Sequence, residues 1–496
     1  MLRKKGFAIF LLVFFVLSAF AEEEKGAPDK TKTPTPFEAL VSYVDSARFE
    51  DFPPEVIKRA KYLILDNIGC ALGGTQMEEG RKFLRVGANW KGTPESTVIG
   101  TGDRISCMSA AYVNTELANI LDFDDTYDLY SPGHPGDALI QPALVVGEAV
   151  GASGKELLTA IILAYEVSLR IGRGEGALDW QSTSYVGSIT RGTITAAARL
   201  LKLNRDELTI AFRHVTEFLL PRKREKFDVP TDIAVPEIKS NFGFFAMEAL
   251  LATRLAREGV TGFPSLLERD FKSWFLAGGE ADEYDALTLG LGNMYRLMEV
   301  SFKPTPSCRL SHPAVTALWQ ALEGKTVNAK DIEHIVFKGV KRLDRPQWKI
   351  PMEAQFSLQC VLAMAAAGIE PGPRWYASGN FNAPEIEELA AKVKLENDPA
   401  AEELEIREGK VTCTVTVTFK NGTIKKATID RILGAPDNPM SEEALQAKFR
   451  ANCRDILSDD QANAIIEQVL NLEKLPNVSD LMKLLVSPKV KLELNK

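Results

Sequence analysis

The strongest constraint on the fold is the spacing of apolar residues between Phe37 and about Glu258. In Pro53–Leu72 these residues recur at steps of three and four, which is the repeat of an α-helix with one buried face. The same pattern predicts helices over Ser106–Leu121, Gln141–Val150, Gly154–Ile171, Ile194–Leu203 and Pro236–Glu258. Successive amphipathic helices must bury their apolar faces against one another, so this region predicts a large all-helical domain.

The pattern changes after about Met294. Apolar and polar residues there begin to alternate, with the period of two that is typical of β-strands. Lys410–Lys420 alternates valine or cysteine with threonine, and Asn421-Gly422 separates it from a second β-branched run, Thr423–Ile429. An Asn-Gly pair between two such runs is a strong signal for a β-hairpin. Ile332–Val340 predicts another strand. The second region is therefore expected to be α+β.

These patterns predict a mainly α protein with three parts after its N-terminal segment. The predicted parts are an all-helical domain over residues 36–293, a smaller α+β domain over residues 294–440 and C-terminal helices over residues 441–496. The C-terminal helices are expected to pack back onto the helical domain, because their apolar faces need a partner.

The first residues predict export. Basic residues at positions 3–5 precede an apolar run from Phe7 to about Leu17, and Ala19-Phe20-Ala21 places small residues before a cleavage site. The run is shorter than the roughly 20 residues of a spanning helix, which favours a cleaved signal peptide over residues 1–21 rather than a membrane anchor. Residues 22–35 predict a flexible leader. The mature protein is expected to be periplasmic or secreted, without membrane association.

The net charge and the spacing of the cysteines argue against nucleic acid and zinc as ligands. The net charge of −8 gives no reason to expect nucleic acid as a partner. The six cysteines are widely spread and include no CxxC pair, so a zinc site is not expected. An anionic substrate would need cationic side chains placed locally in the fold.

The densest cluster of titratable residues is Asp124-Asp125-Thr126-Tyr127-Asp128. Taken alone, this DDxxD pattern is similar to the magnesium-diphosphate motif of class I terpene synthases, since Mg²⁺ prefers oxygen ligands. The chain has no second metal motif of the kind those enzymes use, and its predicted hairpin does not fit their helical fold. A solvated acidic helix end is the simpler alternative, and it stays open at this stage.

His134 is the first candidate for proton transfer. It lies between Gly133 and Gly136, where the backbone can approach a ligand closely. Histidine has the pKa needed to exchange a proton near neutral pH. The alternative is a loop histidine that caps a helix end. Asp122 and Thr126 are four residues apart, so on a helix end they would share one face.

Several segments match one family in their order and spacing. They are Leu121–Thr126, Gly133–Gly136, Gly154–Gly172, Ala196–Leu201, Arg254–Gly262 and Phe302–Pro313. Together they resemble the MmgE/PrpD superfamily, which includes 2-methylcitrate dehydratase and cis-aconitate decarboxylase. The resemblance implies a helical domain with an α+β lid and the active site between them. It also implies a homodimeric lyase that eliminates water or carbon dioxide from a small di- or tricarboxylic acid, by proton abstraction next to a carboxylate and without metal or cofactor.

The resemblance also assigns roles to residues. Asp122 and Thr126 would line the pocket beside His134, and Lys239 and Lys303 would hold substrate carboxylates. The remaining candidates lie in the Phe302–Pro313 segment: Arg309 as a carboxylate clamp, Cys308 in the binding site, and His312 as a second acid/base group or a helix cap.

The chain departs from the family pattern at Gln181 and Cys360, where related enzymes often carry histidine and tyrosine, and Cys308 lies at a third variable position. A glutamine amide has no proton that titrates near neutral pH. Two alternatives therefore remain beside an active lyase: a polycarboxylate-binding protein with altered catalysis, and an epimerase of the same superfamily.

Overall fold

The structure is a computed structural model that describes residues 34–90, 92–128, 133–174, 183–218, 237, 241–262, 287–325, 327–377 and 379–492. The predicted signal peptide and nearly all of the predicted leader lie outside these residues. So do Gln181 and Lys239. The predicted domain limits at residues 293 and 440 stay predictions.

Helices dominate the first part of the chain, as the apolar spacing predicts. They are α1 (Pro36–Ser46), α2 (Pro54–Gly74), α3 (Glu78–Asn89), α4 (Cys107–Asn119), α5 (Pro135–Val150), α6 (Gly154–Gly174), α7 (Thr183–Leu201), α8 (Arg205–Phe218) and α9 (Phe242–Arg257). One short antiparallel ribbon, β1 (Ser96–Thr97) with β2 (Arg104–Ile105), was not predicted and adds strand structure to this helical part.

Helix α2 shows how small residues allow close packing. It runs two residues past the predicted segment Pro53–Leu72, through Gly73 and Gly74. A Cβ atom on Gly74 would lie 2.0 Å from the carbonyl oxygen of Leu117 on α4. Glycine at this position therefore serves the contact between α2 and α4 rather than the end of the helix.

Helix α5 begins at Pro135, six residues before the predicted start, and contains Pro142 in its interior. A proline inside a helix removes the N–H that would bind the carbonyl four residues earlier. That carbonyl belongs to Ala138, and the hydroxyl of Thr193 on α7 donates to it at 2.7 Å. A neighbouring helix thus replaces the missing hydrogen bond, and the early start places His134 at the beginning of α5.

The second part of the chain contains a four-stranded sheet. Its strands are β3 (Ile332–Gly339), β4 (Val393–Asn397), β5 (Cys413–Phe419) and β6 (Ile424–Ile429), in the order β4-β3-β5-β6. The β3–β4 pair is parallel and the other pairs are antiparallel. The hairpin predicted at Asn421-Gly422 joins β5 to β6, and Gly422 has a φ of +83°. The mainly α fold with a small sheet region is therefore as predicted.

The remaining helices surround the sheet or return to the first part. They are α10 (His312–Ala321), α11 (Pro351–Gln355), α12 (Leu358–Ala366), α13 (Pro384–Ala390), α14 (Pro399–Glu408), α15 (Glu442–Cys453), α16 (Asp459–Leu470) and α17 (Ser479–Leu484). Side chains of α15–α17, such as Phe449 and Leu481, belong to the same apolar core cluster as those of α2 and α5–α7. A second cluster contains the sheet, α10 and α12, together with Leu121 and Phe123. Residues 121–123 therefore lie where the two clusters meet.

Among the described residues, no helix combines the length and the apolar character that crossing a lipid bilayer requires.

Glu116 gives a prediction about stability. It is buried on α4, and the backbone N–H of Gly243 at the start of α9 donates to its carboxyl at 2.7 Å. Burial raises the pKa of Glu116 from 4.5 to about 8, and the hydrogen bond from Gly243 opposes this only in part. The folded state therefore favours the neutral acid, and the resulting stability is present below pH 4.5 and lost as the pH rises through about 8.

Glu116→Gln is expected to keep the bond from Gly243 and to remove this pH dependence. Urea unfolding should show variant and wild type equally stable near pH 5, and the variant more stable at pH 9. If both proteins lost the same stability between pH 5 and pH 9, the raised pKa of Glu116 would be contradicted.

Candidate active site

The segment after α4 forms the floor of the candidate site. Helix α4 ends at Asn119, and the backbone N–H of Asp122 donates to the Asn119 carbonyl at 2.8 Å. Asp122 has a φ of +48°, a left-handed conformation that is uncommon for residues other than glycine. The expectation that Asp122 and Thr126 share one face of a helix end is therefore wrong, because the chain turns before it reaches Thr126.

His134 occupies the N-cap position of α5, but its side chain does not cap the helix. Instead, its Nδ1 lies 2.7 Å from Oδ2 of Asp124. The side chain of His134 is 8% exposed and that of Asp124 is fully buried. The alternative of a capping histidine is excluded, because the ring is committed to a carboxylate ten residues earlier in the chain.

Lys303 reaches the same place from a distant part of the chain. Thr126 and Ser301 exchange backbone hydrogen bonds of 2.9 and 2.7 Å, which brings the segment before Lys303 alongside the acidic segment. The Lys303 ammonium donates to the Asp122 carbonyl at 2.8 Å and forms an ion pair with the Asp122 carboxylate. Its Nζ also lies 3.4 Å from Nδ1 of His134. The side chains of Asp122 and Lys303 are both fully buried.

The charges of this cluster support one another. Burial raises the pKa of Asp124, but the charges of His134 and Lys303 outweigh it, so the pKa of Asp124 is lowered overall. Burial lowers the pKa of Lys303, and the carboxylates of Asp122 and Asp124 outweigh that effect, so its pKa is raised. The cluster therefore keeps Asp124 ionised and Lys303 protonated near neutral pH.

The charges of Asp124 and Lys303 decide which ring nitrogen of His134 carries the proton. An ionised Asp124 carboxylate at 2.7 Å requires a proton on Nδ1, whereas a bond from Lys303 to Nδ1 would require a lone pair there. The contact with the carboxylate decides, since 2.7 Å is a short, strong hydrogen bond whereas 3.4 Å from Lys303 is at most a weak one. In the neutral ring the lone pair is then on Nε2, which makes Nε2 the proton acceptor.

Asp122, Asp124 and His134 place three ligand-type atoms within 4.8 Å of one another. A divalent cation at this point would face the Lys303 ammonium, which already contacts Asp122 and His134. Two like charges at contact distance in a buried site repel strongly. The donor set therefore fits a cluster organised by lysine better than a metal centre.

Further carboxyl groups extend the cluster inward. Asp125 accepts from the Tyr165 hydroxyl at 2.7 Å and from the Gly136 N–H at 2.9 Å. Burial, followed by the charge of Asp124, raises the pKa of Asp125 to about 7. Burial of Asp137 likewise raises its pKa well above the usual range. Asp124 and Asp125 are thus buried, so the solvated helix end is wrong for them.

The other candidates of the Phe302–Pro313 segment lie beside this cluster with partners of their own. Arg309 forms a two-pronged ion pair with Asp128, with distances of 3.1 and 2.6 Å to Oδ2. His312 is fully buried, with Nδ1 3.1 Å from the Cys308 carbonyl and Nε2 3.4 Å from the Thr305 hydroxyl. Burial, then the charges of Arg309 and Lys303, lowers the pKa of His312 well below the usual range. Cys308 is buried as well.

Comparison with known proteins identifies the chain's relatives. The model of the MmgE/PrpD N-terminal domain matches residues 38–282, and that of the MmgE/PrpD C-terminal domain matches residues 305–474. The chain belongs to the MmgE/PrpD family. It is 28% identical to a cis-aconitate decarboxylase of Mus musculus, over 92% of this chain and 95% of the relative. It is also 28% identical to a cis-aconitate decarboxylase of Homo sapiens, over 91% and 94% of the two chains. A 2-methylcitrate dehydratase of Escherichia coli (strain K12) is 23% identical over 84% and 90%.

Membership of the MmgE/PrpD family confirms the resemblance read from the sequence motifs. The relatives are enzymes, which bears out the prediction of an enzyme of the lyase type. Of the predicted site residues, the structure brings His134, Asp122 and Lys303 together. Thr126 is buried in the same segment, with its hydroxyl 3.4 Å from Asp128. The predicted roles of all these residues, and of Lys239 outside the described residues, stay predictions.

Sequence reasoning missed other residues of this MmgE/PrpD site. Asp124 was read only as part of an acidic run, although its spacing from His134 was visible. Two further residues carry no local signal, because they lie far from the matched motifs: Lys448, whose Nζ donates to the carbonyl of Phe123, and Tyr376. The Tyr376 hydroxyl donates to the Pro306 carbonyl at 2.5 Å, and its pKa is raised by burial and then by Cys360 and Asp122. Tyr376 thus brings a buried phenol close to the site and to Cys360, the position where tyrosine was expected.

Asp124→Asn tests the assigned proton position. An asparagine amide can donate to Nδ1, which would move the ring proton to Nε2 and remove the acceptor. We expect kcat to fall by roughly 100-fold or more, together with a lower free energy of unfolding at pH 7, because the ionised Asp124 carboxylate helps to compensate the buried charge of Lys303. Steady-state kinetics and urea unfolding measure these quantities. Asp128→Asn, at the outer end of the same acidic segment, is the matched control, and comparable kinetics in both variants would contradict the assignment.

Proposed function

We propose that this chain is a lyase that acts on a small tricarboxylic acid, with decarboxylation of a cis-aconitate-like substrate as the leading candidate. The observation that carries the proposal is the buried contact of His134 with Asp124, beside the Lys303–Asp122 ion pair. This arrangement places a proton-transfer group, His134, next to the cation of Lys303 in a buried site from which water is largely excluded. The decarboxylase relatives, which are more similar than the dehydratase relative over longer stretches, support the choice of reaction.

The proton position on His134 fits both reactions of the family. In a dehydration, Nε2 would take the proton from the carbon next to a carboxylate. The electron pair would form the double bond as the C–O bond breaks, and the hydroxide would take up a proton and leave as water. In a decarboxylation, Nε2 would first take up a proton from solvent. The C–C bond to the leaving carboxylate would then break, its electron pair would be shared with the neighbouring double bond of the substrate, and one carbon of this allylic system would take the proton from Nε2 as carbon dioxide leaves.

Lys303 is suited to hold a substrate carboxylate while this happens. Two of its three N–H groups are accounted for by the carbonyl and the carboxylate of Asp122. The third remains for an anion that enters beside His134, 3.4 Å away. Charge on a substrate in a buried site must be paired, because an isolated buried charge is very costly. We include Lys239 in the proposal as a second carboxylate-binding lysine on the strength of its motif alone.

A panel of carboxylic acids tests this function. The purified protein is incubated with cis-aconitate, 2-methylcitrate and citrate, and the products are followed by proton NMR and by release of ¹³CO₂ from carboxyl-labelled cis-aconitate. Loss of cis-aconitate with one equivalent of ¹³CO₂ supports the proposal. Conversion of 2-methylcitrate without carbon dioxide would make the chain a dehydratase instead. Binding measured by calorimetry without any turnover would overturn the enzymatic proposal in favour of a binding protein.

We also propose that the protein is exported and forms a homodimer. The first 21 residues support export through their basic start, short apolar run and small residues before the cleavage site. The dimer is supported by family resemblance alone. N-terminal sequencing of protein recovered outside the cytoplasm would test cleavage after Ala21. Light scattering would test the dimer, for which twice the chain mass is expected.

A further inference from the structure

Lys448 on α15 reaches the acidic segment from near the C-terminal end of the chain. It is 6% exposed, and its Nζ donates to the carbonyl oxygen of Phe123 at 2.6 Å. The same ammonium forms an ion pair of 2.7 Å with Asp66 on α2 and lies 3.9 Å from the centroid of the Phe123 ring. A buried lysine is tolerated only where its charge is compensated, and these contacts compensate it.

Phe123 lies between the two carboxylates that organise the site. Asp122, on one side, pairs with Lys303, and Asp124, on the other, holds His134. Asp122 has a left-handed backbone, which is uncommon for residues other than glycine. The hydrogen bond from Lys448 fixes the carbonyl of the next residue. The carbonyl between the two carboxylates is thus held by a donor 325 residues later in the chain.

Lys448 also belongs electrostatically to the same cluster. Burial of Asp66 raises its pKa, and the charge of Lys448 opposes this shift. Asp66 in turn interacts with Asp124 and Lys303. The cluster thus contains two buried lysines, Lys303 and Lys448, which enter from different parts of the chain and contact adjacent residues of one short segment.

We propose that Lys448 is a positioning residue of this site. By holding the Phe123 carbonyl, it sets the distances among His134, Asp124 and Lys303 without contacting the substrate. Its kinetic consequence rests on the proposed function, whereas its effect on the His134 environment does not. The two parts are therefore tested by separate measurements.

The kinetic test compares Lys448→Met with a matched buried lysine. Lys61 on α2 is 9% exposed, donates to the Leu470 carbonyl at 2.8 Å and pairs with Glu473 at 2.6 Å, so Lys61→Met removes similar bonds elsewhere. Both variants are expected to lose stability. Only Lys448→Met is expected to lower kcat, by roughly 10- to 100-fold with little change in KM. Lys448→Arg, which keeps a charged donor, should recover part of the loss.

The second measurement does not require turnover. The chain contains four histidines, so the His134 imidazole signal can be assigned in an NMR spectrum by its loss in His134→Gln. Lys448→Met should shift this signal, and Lys61→Met should leave it in place. A shift seen only in Lys448→Met, with no carboxylate turned over by the wild type, would sustain the positioning role while the proposed function fails.

An unchanged His134 signal together with wild-type kcat in folded Lys448→Met would overturn the positioning role. If that variant does not fold, Lys448→Met combined with Asp66→Asn removes the uncompensated buried charge and still lacks the donor to Phe123. The same shift of the His134 signal is expected in this double variant, and its absence would count against the proposal equally.

Discussion

Replacing His134 with glutamine is expected to lower kcat by roughly 10²- to 10⁴-fold. Glutamine can still hydrogen-bond to Asp124, 2.7 Å from the histidine ring in the wild type, but it has no proton that titrates near neutral pH. The loss should therefore appear in kcat while the protein stays folded. Steady-state kinetics on the substrate found in the carboxylate panel, with circular dichroism as a check of folding, measures this effect.

His334 provides the control for this variant. It lies on β3 and pairs with Thr418 of β5 in the sheet. His334→Gln should leave kcat unchanged. Equal activity in His134→Gln and the wild type would show that another group exchanges the proton, and the assignment of His134 would then be wrong.

Replacing Lys303 with methionine is expected to have the largest effect on stability. Lys303 and Asp122 form a fully buried ion pair, and Asp124 lies in the same cluster. Removing the lysine leaves buried carboxylates without their cation, which typically costs about 3–5 kcal/mol. We expect a loss of this size in the free energy of unfolding, measured with urea at pH 7, together with loss of turnover.

A second replacement separates stability from activity. Asp122→Asn in the Lys303→Met background removes the uncompensated charge, and asparagine tolerates the left-handed backbone found at this position. The double variant should regain a large part of the lost stability and remain inactive. If Lys303→Met lowered the free energy of unfolding by less than about 1 kcal/mol, as expected for an exposed ion pair, the description of Lys303 and Asp122 as a buried ion pair would be contradicted.

The sequence predicted the fold well where local patterns decide it. Alternating valine and threonine followed by Asn-Gly specified the β5–β6 hairpin, because side-chain alternation and turn chemistry are both local. Apolar spacing located six of the nine helices described between Pro36 and Arg257 in the same way. The predicted start of α5 at Gln141 was six residues late: the helix begins at Pro135 and continues through Pro142, because a hydroxyl from α7 satisfies the carbonyl that Pro142 leaves free. Such a rescue depends on a neighbouring helix and leaves no local trace in the sequence.

The site was predictable in part for the same reason. His134, Asp122 and Lys303 belong to motifs, and histidine and lysine suggest their chemistry directly. The left-handed backbone of Asp122 and the burial of Asp124 result from tertiary packing, so an acidic run could equally have indicated a solvated surface. Lys448 acts on the Phe123 carbonyl, and a backbone acceptor leaves no mark in the sequence.

The most direct measurement of the central claim is solvent deuterium incorporation into the substrate or product carbon, followed by proton NMR in D₂O. Wild-type protein with cis-aconitate should yield a product that carries one solvent deuterium on a carbon of the allylic system from which the carboxylate was lost. His134→Gln should yield none above the uncatalysed background. Deuterium incorporation at the wild-type rate in His134→Gln, or none in the wild type with any of the three acids, would contradict proton transfer by a histidine held between Asp124 and Lys303.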